Sequence, residues 1–184
     1  MLRNVGIAVF FLWMFIDSVL VFRHATGAKE NRDRFSLLLL MVGSLATLWV
    51  SIGLAFSRIG TRQSAAVQVA GLVVMGVGIA LRSTAIAQLG RFHTPNVAVR
   101  TDHQLKVSGL YGFVRHPSYL GALIAYVGLG LALGNWLSLA LIIAIVPCLY
   151  VYRIHEEDAA MLAAFGDAYR AYCTRTKRLI PWVY

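Results

Sequence analysis

Two short stretches of this sequence combine residue types that could do chemistry, and both lie beside long apolar segments. The first is Arg115-His116-Pro117-Ser118-Tyr119. A residue that precedes proline avoids the α region, so His116 is expected to be extended, and Pro117 suits the first turn of a helix. The free N–H groups of that turn favour an anionic group such as a carboxylate or a phosphate. On spacing alone, a ligand site and a plain proline helix start with a lipid-facing Arg115 are equally good interpretations.

The second stretch is Arg153-Ile-His-Glu-Glu157-Asp158. Arg153 and Glu157 are four residues apart, so a helix presents them on one face. The plain alternative is a surface ion pair, which contributes only about 0.3–0.5 kcal/mol. An acidic and a basic side chain at the membrane edge cost more free energy than the same pair on a water-exposed surface. This cost favours a functional site. Asp17 and Arg82, in or near other apolar segments, are predicted to pair structurally.

Other kinds of site are not indicated. The five histidines show no HxxxH spacing and the two cysteines form no CxxC pair, so no metal site is predicted. The glycines between positions 128 and 134 lie inside an apolar segment with no preceding strand. They therefore indicate close packing of helices and not a dinucleotide-binding loop.

The elements that must position these residues are membrane helices. Of the 184 residues, 59% are hydrophobic and only 14% are charged, whereas soluble domains carry about 25% charged residues. A water-soluble globule of this size could not bury so much apolar surface. The composition therefore predicts an all-α integral membrane protein. The net charge of +9 is better explained by lipid head groups and topology than by nucleic acid.

Five apolar segments meet the length of about 17–25 residues that a membrane-spanning helix needs. They cover approximately residues 5–22, 35–57, 64–88, 117–134 and 136–152. Asn135 and Trp136 leave almost no loop between the last two, which predicts a tight helical hairpin. The chain is thus divided into three N-terminal membrane helices (1–88) and a catalytic region (89–184) with a loop, the hairpin and a tail.

Five spans give the basic residues a strong asymmetry. Fourteen of the seventeen lysines and arginines then fall on one side of the membrane. By the positive-inside rule, the N-terminus is expected outside and the C-terminus in the cytoplasm. The small size and the lack of an obvious eukaryotic targeting signal make a prokaryotic inner membrane the expected location. In the tail, Met161, Phe165, Tyr169 and Tyr172 recur at helical spacing. This spacing predicts an amphipathic C-terminal helix, which could cap a cytoplasmic site.

The motifs of residues 89–184 follow one another in a specific order and spacing. They are His103-x-Leu105-x-x-x-Gly109-x-Tyr111-x-x-x-Arg115-His116-Pro117-x-Tyr119-x-Gly121, then Arg153-x-x-x-Glu157-Asp158, then Phe165-Gly-x-x-Tyr169-x-x-Tyr172, and Arg178-Leu-Ile-Pro181. Together they resemble the isoprenylcysteine carboxyl methyltransferase family. The first three apolar segments match only as hydrophobic helices. The chain departs from the family's pattern at Asp158, where relatives have a second glutamate, and at Trp136, where they often have proline.

The resemblance implies a membrane methyltransferase that binds S-adenosylmethionine in a cytosol-facing pocket under the tail. The residues that it implies for this pocket are Arg100, His103, Gln104, Leu105, Lys106, Tyr111, His116, Pro117, Ser118, Tyr119 and Glu157. It makes Arg153 and Glu157 the catalytic pair and assigns the substrate to Arg153. The expected substrate is a lipophilic acceptor that enters from the bilayer, such as a prenylcysteine-like carboxylate.

The chemistry of these side chains suggests a division of roles. Arg153 can clamp a carboxylate bidentately, and Glu157 can bind the cofactor's ammonium group and orient Arg153. His116 and the helix start beside it can receive the cofactor's carboxylate. Tyr111 and Tyr119 can face the adenosine or the sulfonium cation.

Three other functions stay open. An N-methyltransferase for a phospholipid or small amine would need a base, for which His116 or Glu157 could serve. An NADPH-dependent sterol-type reductase of similar helical architecture is a second alternative, and a non-enzymatic transporter or scaffold is a third. A lipophilic thiol is also a possible methyl acceptor.

Overall fold

The computed structural model describes residues 1–24, 34–90 and 105–180, with the backbone alone for residues 20–24 and 34. Its helices are α1 (Leu2–His24), α2 (Arg34–Phe56), α3 (Ala65–Leu89), a 3₁₀ helix (Gly109–Gly112), α4 (Pro117–Ala132), α5 (Trp136–Phe165) and α6 (Asp167–Arg175). Within the described ranges, β structure is limited to two isolated bridges. The predicted all-α membrane fold is confirmed.

The length and apolar composition of each helix limit which of them can cross a membrane. By length and composition, α1, α2, α3 and α5 are able to cross a membrane, whereas α4 is a shorter apolar helix of 16 residues. Such a helix measures about 24 Å, against a hydrocarbon thickness of about 30 Å. The fifth span is therefore not confirmed. α4 still runs antiparallel along α3, since Gly134 accepts a backbone hydrogen bond from Gln63 (3.1 Å) at one end and Ser118 contacts Arg82 at the other.

Backbone contact between α3 and α4 forms the centre of the bundle. A Cβ atom added at Gly78 would lie 2.6 Å from the carbonyl oxygen of Gly121, and one added at Gly128 would lie 2.8 Å from that of Gly71. Small residues permit this close approach, which favours association of membrane helices. The interpretation of Gly128 as a packing residue is confirmed.

Asn135 closes the hairpin between α4 and α5. Its Oδ1 accepts hydrogen bonds from the backbone N–H groups of Leu137 (2.9 Å) and Ser138 (3.2 Å), so it caps the N-terminus of α5. Its Nδ2 donates to the carbonyls of Leu54 (3.2 Å) and Ile59 (2.8 Å). The tight hairpin predicted from the sequence is confirmed, and one side chain ties it to the end of α2.

The C-terminal part of α5 differs from the sequence prediction. The helix does not stop near residue 152 but continues to Phe165. Its 30 residues from Trp136 to Phe165 measure about 45 Å at 1.5 Å per residue. Its last turns therefore extend past a bilayer core of about 30 Å. The prediction of a single amphipathic tail helix is also wrong in detail, because Gly166, with a φ of +51°, separates α5 from α6. Arg153 and Glu157 consequently belong to the same helix as the membrane span.

Candidate functional site at the start of α4 and the end of α5

The C-terminal segment, residues 176–180 after α6, is hydrogen-bonded to the loop that precedes α4. The backbone N–H groups of Arg115 and His116 donate to the carbonyls of Lys177 (2.8 Å) and Arg178 (3.0 Å). Pro117 is the first residue of α4, as predicted. His116 lies outside the α region, with φ −123° and ψ 58°, although its ψ falls short of the extended range expected before proline.

The buried imidazole of His116 lies between two carboxylates. Its Nε2 is 2.9 Å from Oδ1 of Asp158, and its Nδ1 is 3.7 Å from Oε2 of Glu157. The ring also stacks on Tyr119, with ring centres 5.5 Å apart and planes 6° from parallel. The structure therefore brings His116, Tyr119 and Glu157 together, as the sequence predicts.

Asp158 connects four segments of the chain. Its Oδ1 accepts a 2.5 Å hydrogen bond from the Tyr169 hydroxyl, and its Oδ2 accepts one of 2.7 Å from Nε of Arg178. Nη2 of Arg115 lies 3.8 Å from Oδ2. Burial alone would raise the pKa of Asp158, but the hydrogen bonds from His116, Arg178 and Tyr169 outweigh it and hold this pKa well below its usual range.

Arg153 lies on α5, one turn before Glu157, and is only 2% exposed. Its Nη1 donates to the hydroxyl of Ser36 on α2 at 2.6 Å. The hydroxyl of Tyr119 lies close enough to Arg153 and Glu157 to interact with both. A guanidinium and a carboxylate from successive turns of α5 thus flank one phenol from α4.

Arg153 and Tyr119 line a cavity of about 400 Å³ to which all five long helices, α1 to α5, contribute residues. Most of its wall is apolar and comes from α1 and α2; these residues are Trp13, Met14, Leu37, Leu38, Leu40, Met41, Val42 and Leu45. Leu38 and Met41 are also more than half exposed. The cavity therefore lies at the apolar flank of the bundle, with Arg153 inside it.

Tyr111 is buried under α6. Its carbonyl accepts a 2.5 Å hydrogen bond from the Tyr172 hydroxyl, and its own hydroxyl donates to Ala85 at 3.3 Å. Burial raises the pKa of Tyr172 to about 12, so this hydroxyl stays protonated and able to donate. Tyr111 is thereby held by both α3 and α6.

Of the other residues expected in the cofactor pocket, four lie in the described part of the chain and three do not. Pro117 and Ser118 are buried at the start of α4, and Leu105 and Lys106 are half-buried in the segment before the 3₁₀ helix. Arg100, His103 and Gln104 lie outside the described residues.

Comparison with known proteins identifies the family. The family model for isoprenylcysteine carboxyl methyltransferases matches residues 69–163, just over half of the chain. The chain belongs to the isoprenylcysteine carboxyl methyltransferase family. A protein-S-isoprenylcysteine O-methyltransferase from Schizosaccharomyces pombe is 35% identical over 118 residues, which cover 63% of this chain and 50% of that protein.

A solved structure of a eukaryotic intramembrane Ras methyltransferase of this family supports the same fold. It aligns with a TM-score of 0.57 at 26% identity, over 79% of this chain and 52% of that one. A Delta(14)-sterol reductase from Mus musculus is also similar, 37% identical over 90 residues, which cover 48% of this chain and 22% of the reductase. This family member thus spans about half the length of the S. pombe relative and of the solved chain.

Two features of the site were not predicted from the sequence. The predicted pairing of Asp17 with Arg82 is confirmed by two hydrogen bonds of 2.7 Å, but the placement of this pair in the wall of the cavity was not foreseen. Ser36, the partner of Arg153, was not singled out either. Asp17, Arg82 and Ser36 share one signal in the sequence, since each is a polar residue inside or at the end of an apolar segment.

Proposed function

We propose that this protein is an integral membrane methyltransferase that moves a methyl group from S-adenosylmethionine to a lipophilic carboxylate, such as that of a prenylcysteine-like compound. One observation carries the proposal. Arg153, a buried cation, lines a largely apolar cavity at the flank of the bundle, while Glu157 lies one helical turn further on, beside His116. This arrangement provides a place for an oily acid next to a place for a polar cofactor.

Glu157 fits the role of holding the methyl donor. Its Oε2 is buried and has no hydrogen-bond partner among the described residues, and a buried carboxylate oxygen is expected to find one. The ammonium group of S-adenosylmethionine would satisfy it. When bound, this cofactor supplies an electrophilic sulfonium methyl group and leaves as S-adenosylhomocysteine.

The roles of the remaining pocket residues follow from their surroundings. Because both ring nitrogens of His116 face carboxylates, we assign its side chain to positioning Glu157 and not to receiving the cofactor's carboxylate. The N–H groups at the start of α4 keep that second role. Leu105, Lys106, Tyr111, Ser118 and Tyr119 would enclose the cofactor. Arg100, His103 and Gln104 are proposed for the pocket from the family resemblance.

Arg153 would orient the acceptor. A guanidinium forms paired hydrogen bonds with a carboxylate, which fixes the position of the reacting oxygen. An ionised carboxylate is already a nucleophile, so the site needs no general base, and catalysis rests on positioning and on exclusion of water. The cavity lined by α1 and α2 would hold the apolar part of the acceptor.

We also propose the orientation and location of the protein. With α4 counted as a fifth span, the majority of the basic residues would lie on the side that carries the site, and this side, with the C-terminus, would be cytoplasmic. The N-terminus then lies outside, and a prokaryotic inner membrane suits this arrangement.

An NADPH-dependent sterol-type reductase is the second candidate, because the mouse Delta(14)-sterol reductase shares 37% identity over 90 residues. Calorimetry on the purified protein distinguishes the two. We expect S-adenosylhomocysteine to bind and NADPH not to bind, followed by methyl transfer in a screen of lipophilic carboxylates, thiols and amines. Binding of NADPH without binding of S-adenosylhomocysteine would favour the reductase and refute the proposal.

A further inference from the structure

The cavity that we assign to the acceptor contains a second guanidinium. Arg82 of α3 lines it together with Asp17 of α1, and Nε and Nη2 of Arg82 donate to the two carboxylate oxygens of Asp17, each at 2.7 Å. The two side chains are 12% and 18% exposed. A charge pair inside a membrane bundle is costly, and such pairs usually serve function.

The two guanidiniums line the same cavity. Arg82 and Arg153 share its wall with the phenols of Tyr119 and Tyr150. A carboxylate held by Arg153 would therefore lie in the same cavity as Arg82. Without Asp17, an acceptor with two carboxylates could place the second one on Arg82.

The charges of the cavity wall match an acceptor that is a monoanion. Among the described residues that line it, Arg82 and Arg153 are cations and Asp17 is the anion, so the wall carries one net positive charge. Glu157, which also faces Tyr119, is not part of this wall, and the proposed function assigns it to the methyl donor. Asp17 lies outside the segment 69–163 that matches the family model.

We propose that Asp17 is a specificity-determining residue. By neutralising Arg82, it makes the cavity accept a lipophilic molecule with one carboxylate and reject one with two. This inference rests on the proposed function and adds the charge of the acceptor to it. The alternative is that the pair only fastens α1 to α3, in which case it does not affect selectivity.

A charge series tests the proposal on the purified full-length chain. Asp17→Asn gives the wall two net positive charges, Arg82→Gln gives it none, and the double variant restores one. The probes are N-acetyl-S-farnesylcysteine, with one carboxylate, and N-succinyl-S-farnesylcysteine, with two. The readout is the ratio of kcat/KM for the two probes, which a merely structural role would not change.

We expect the wild type and the double variant to prefer the monoacid by about tenfold or more, since an unmatched buried charge strongly disfavours a ligand. In Asp17→Asn this preference should fall by about tenfold through a gain with the diacid. In Arg82→Gln, KM for the monoacid should rise, because Asp17 then repels it.

Two results would overturn the inference while leaving the proposed function intact. One is an unchanged ratio in a folded Asp17→Asn variant that still methylates the monoacid. The other result applies if Asp17→Asn does not fold. It is that the KM for the monoacid is the same in Arg82→Gln as in the double variant. If the wild type methylates neither probe, the carboxylate function and this inference both fail.

Discussion

Nε2 of His116 lies 2.9 Å from Oδ1 of Asp158, and this contact joins the start of α4 to the extension of α5. The same carboxylate receives hydrogen bonds from Tyr169 of α6 and from Arg178 of the C-terminal segment. Relatives are expected to have glutamate at this position, and the sequence alone left its role open. In the structure, Asp158 is one of the residues that fasten the C-terminal cap, which consists of α6 and the residues that follow it up to position 180, to the start of α4.

Replacing Asp158 should loosen this cap. Asp158→Ala leaves His116, Arg178 and Tyr169 without their common partner, and breaking a buried charge pair costs about 3 kcal/mol. We expect a clear fall in the Tm of the detergent-solubilised protein and faster proteolysis of the tail. The control is Asp167→Ala, because the ion pair that Asp167 forms within the described part of the chain is an exposed one with Arg170. Equal Tm values for the two variants would show that Asp158 does not hold the cap.

The contribution of Asp158 to stability should depend on pH. Because its pKa is lower in the folded protein than in the unfolded chain, the stabilisation is present above the unfolded pKa of about 3.9 and is lost as the pH falls below it. The Tm difference between the wild type and Asp158→Asn should therefore shrink as the pH falls below about 4. A difference that grows as the pH falls below this value contradicts the assignment.

Glu157 is expected to act in cofactor binding. Glu157→Gln removes the negative charge that would face the ammonium group of the cofactor, and a charge-assisted contact of this kind contributes about 1.5–3 kcal/mol. Calorimetric titration with S-adenosylhomocysteine should show binding at least about tenfold weaker than in the wild type. Glu156→Gln, one residue earlier on α5, should bind normally. If both variants bind like the wild type, Glu157 does not contact the cofactor.

The glycines between α3 and α4 allow a sharp test of the bundle core. Gly78→Ala places a methyl group against the backbone of α4, so it should separate the two helices and lower the Tm. Gly76→Ala is the matched control, because a Cβ atom there meets no atom within 4 Å and alanine is the better helix former. Equal stability of the two variants would contradict the backbone contact between α3 and α4.

Much of this architecture follows from local rules that operate within the sequence. Apolar runs of suitable length predict α1, α2 and α3 closely, and Pro117 and Asn135 mark the starts of α4 and α5 because each satisfies a helix terminus. The break at Gly166 had a visible signal, since glycine tolerates a positive φ that other residues avoid.

The remaining features depend on contacts between distant segments. The four-way contact at Asp158 requires the tail to lie along residues 114–116, and no helical periodicity encodes that approach. The cavity likewise requires α1 and α2 to pack beside Arg153. Helices that are apolar on all sides do not reveal which face turns inward.

Methyl transfer by the wild type and by Arg153→Ala, measured side by side, tests the central claim most directly. With labelled S-adenosylmethionine and N-acetyl-S-farnesylcysteine, we predict that the wild type forms a base-labile methyl ester. In the variant, turnover should fall by about 10²–10³-fold or more, while calorimetry with S-adenosylhomocysteine stays close to the wild type. Loss of cofactor binding in proportion to the loss of turnover, or wild-type turnover in the variant, would contradict the role of Arg153 as the acceptor's anchor.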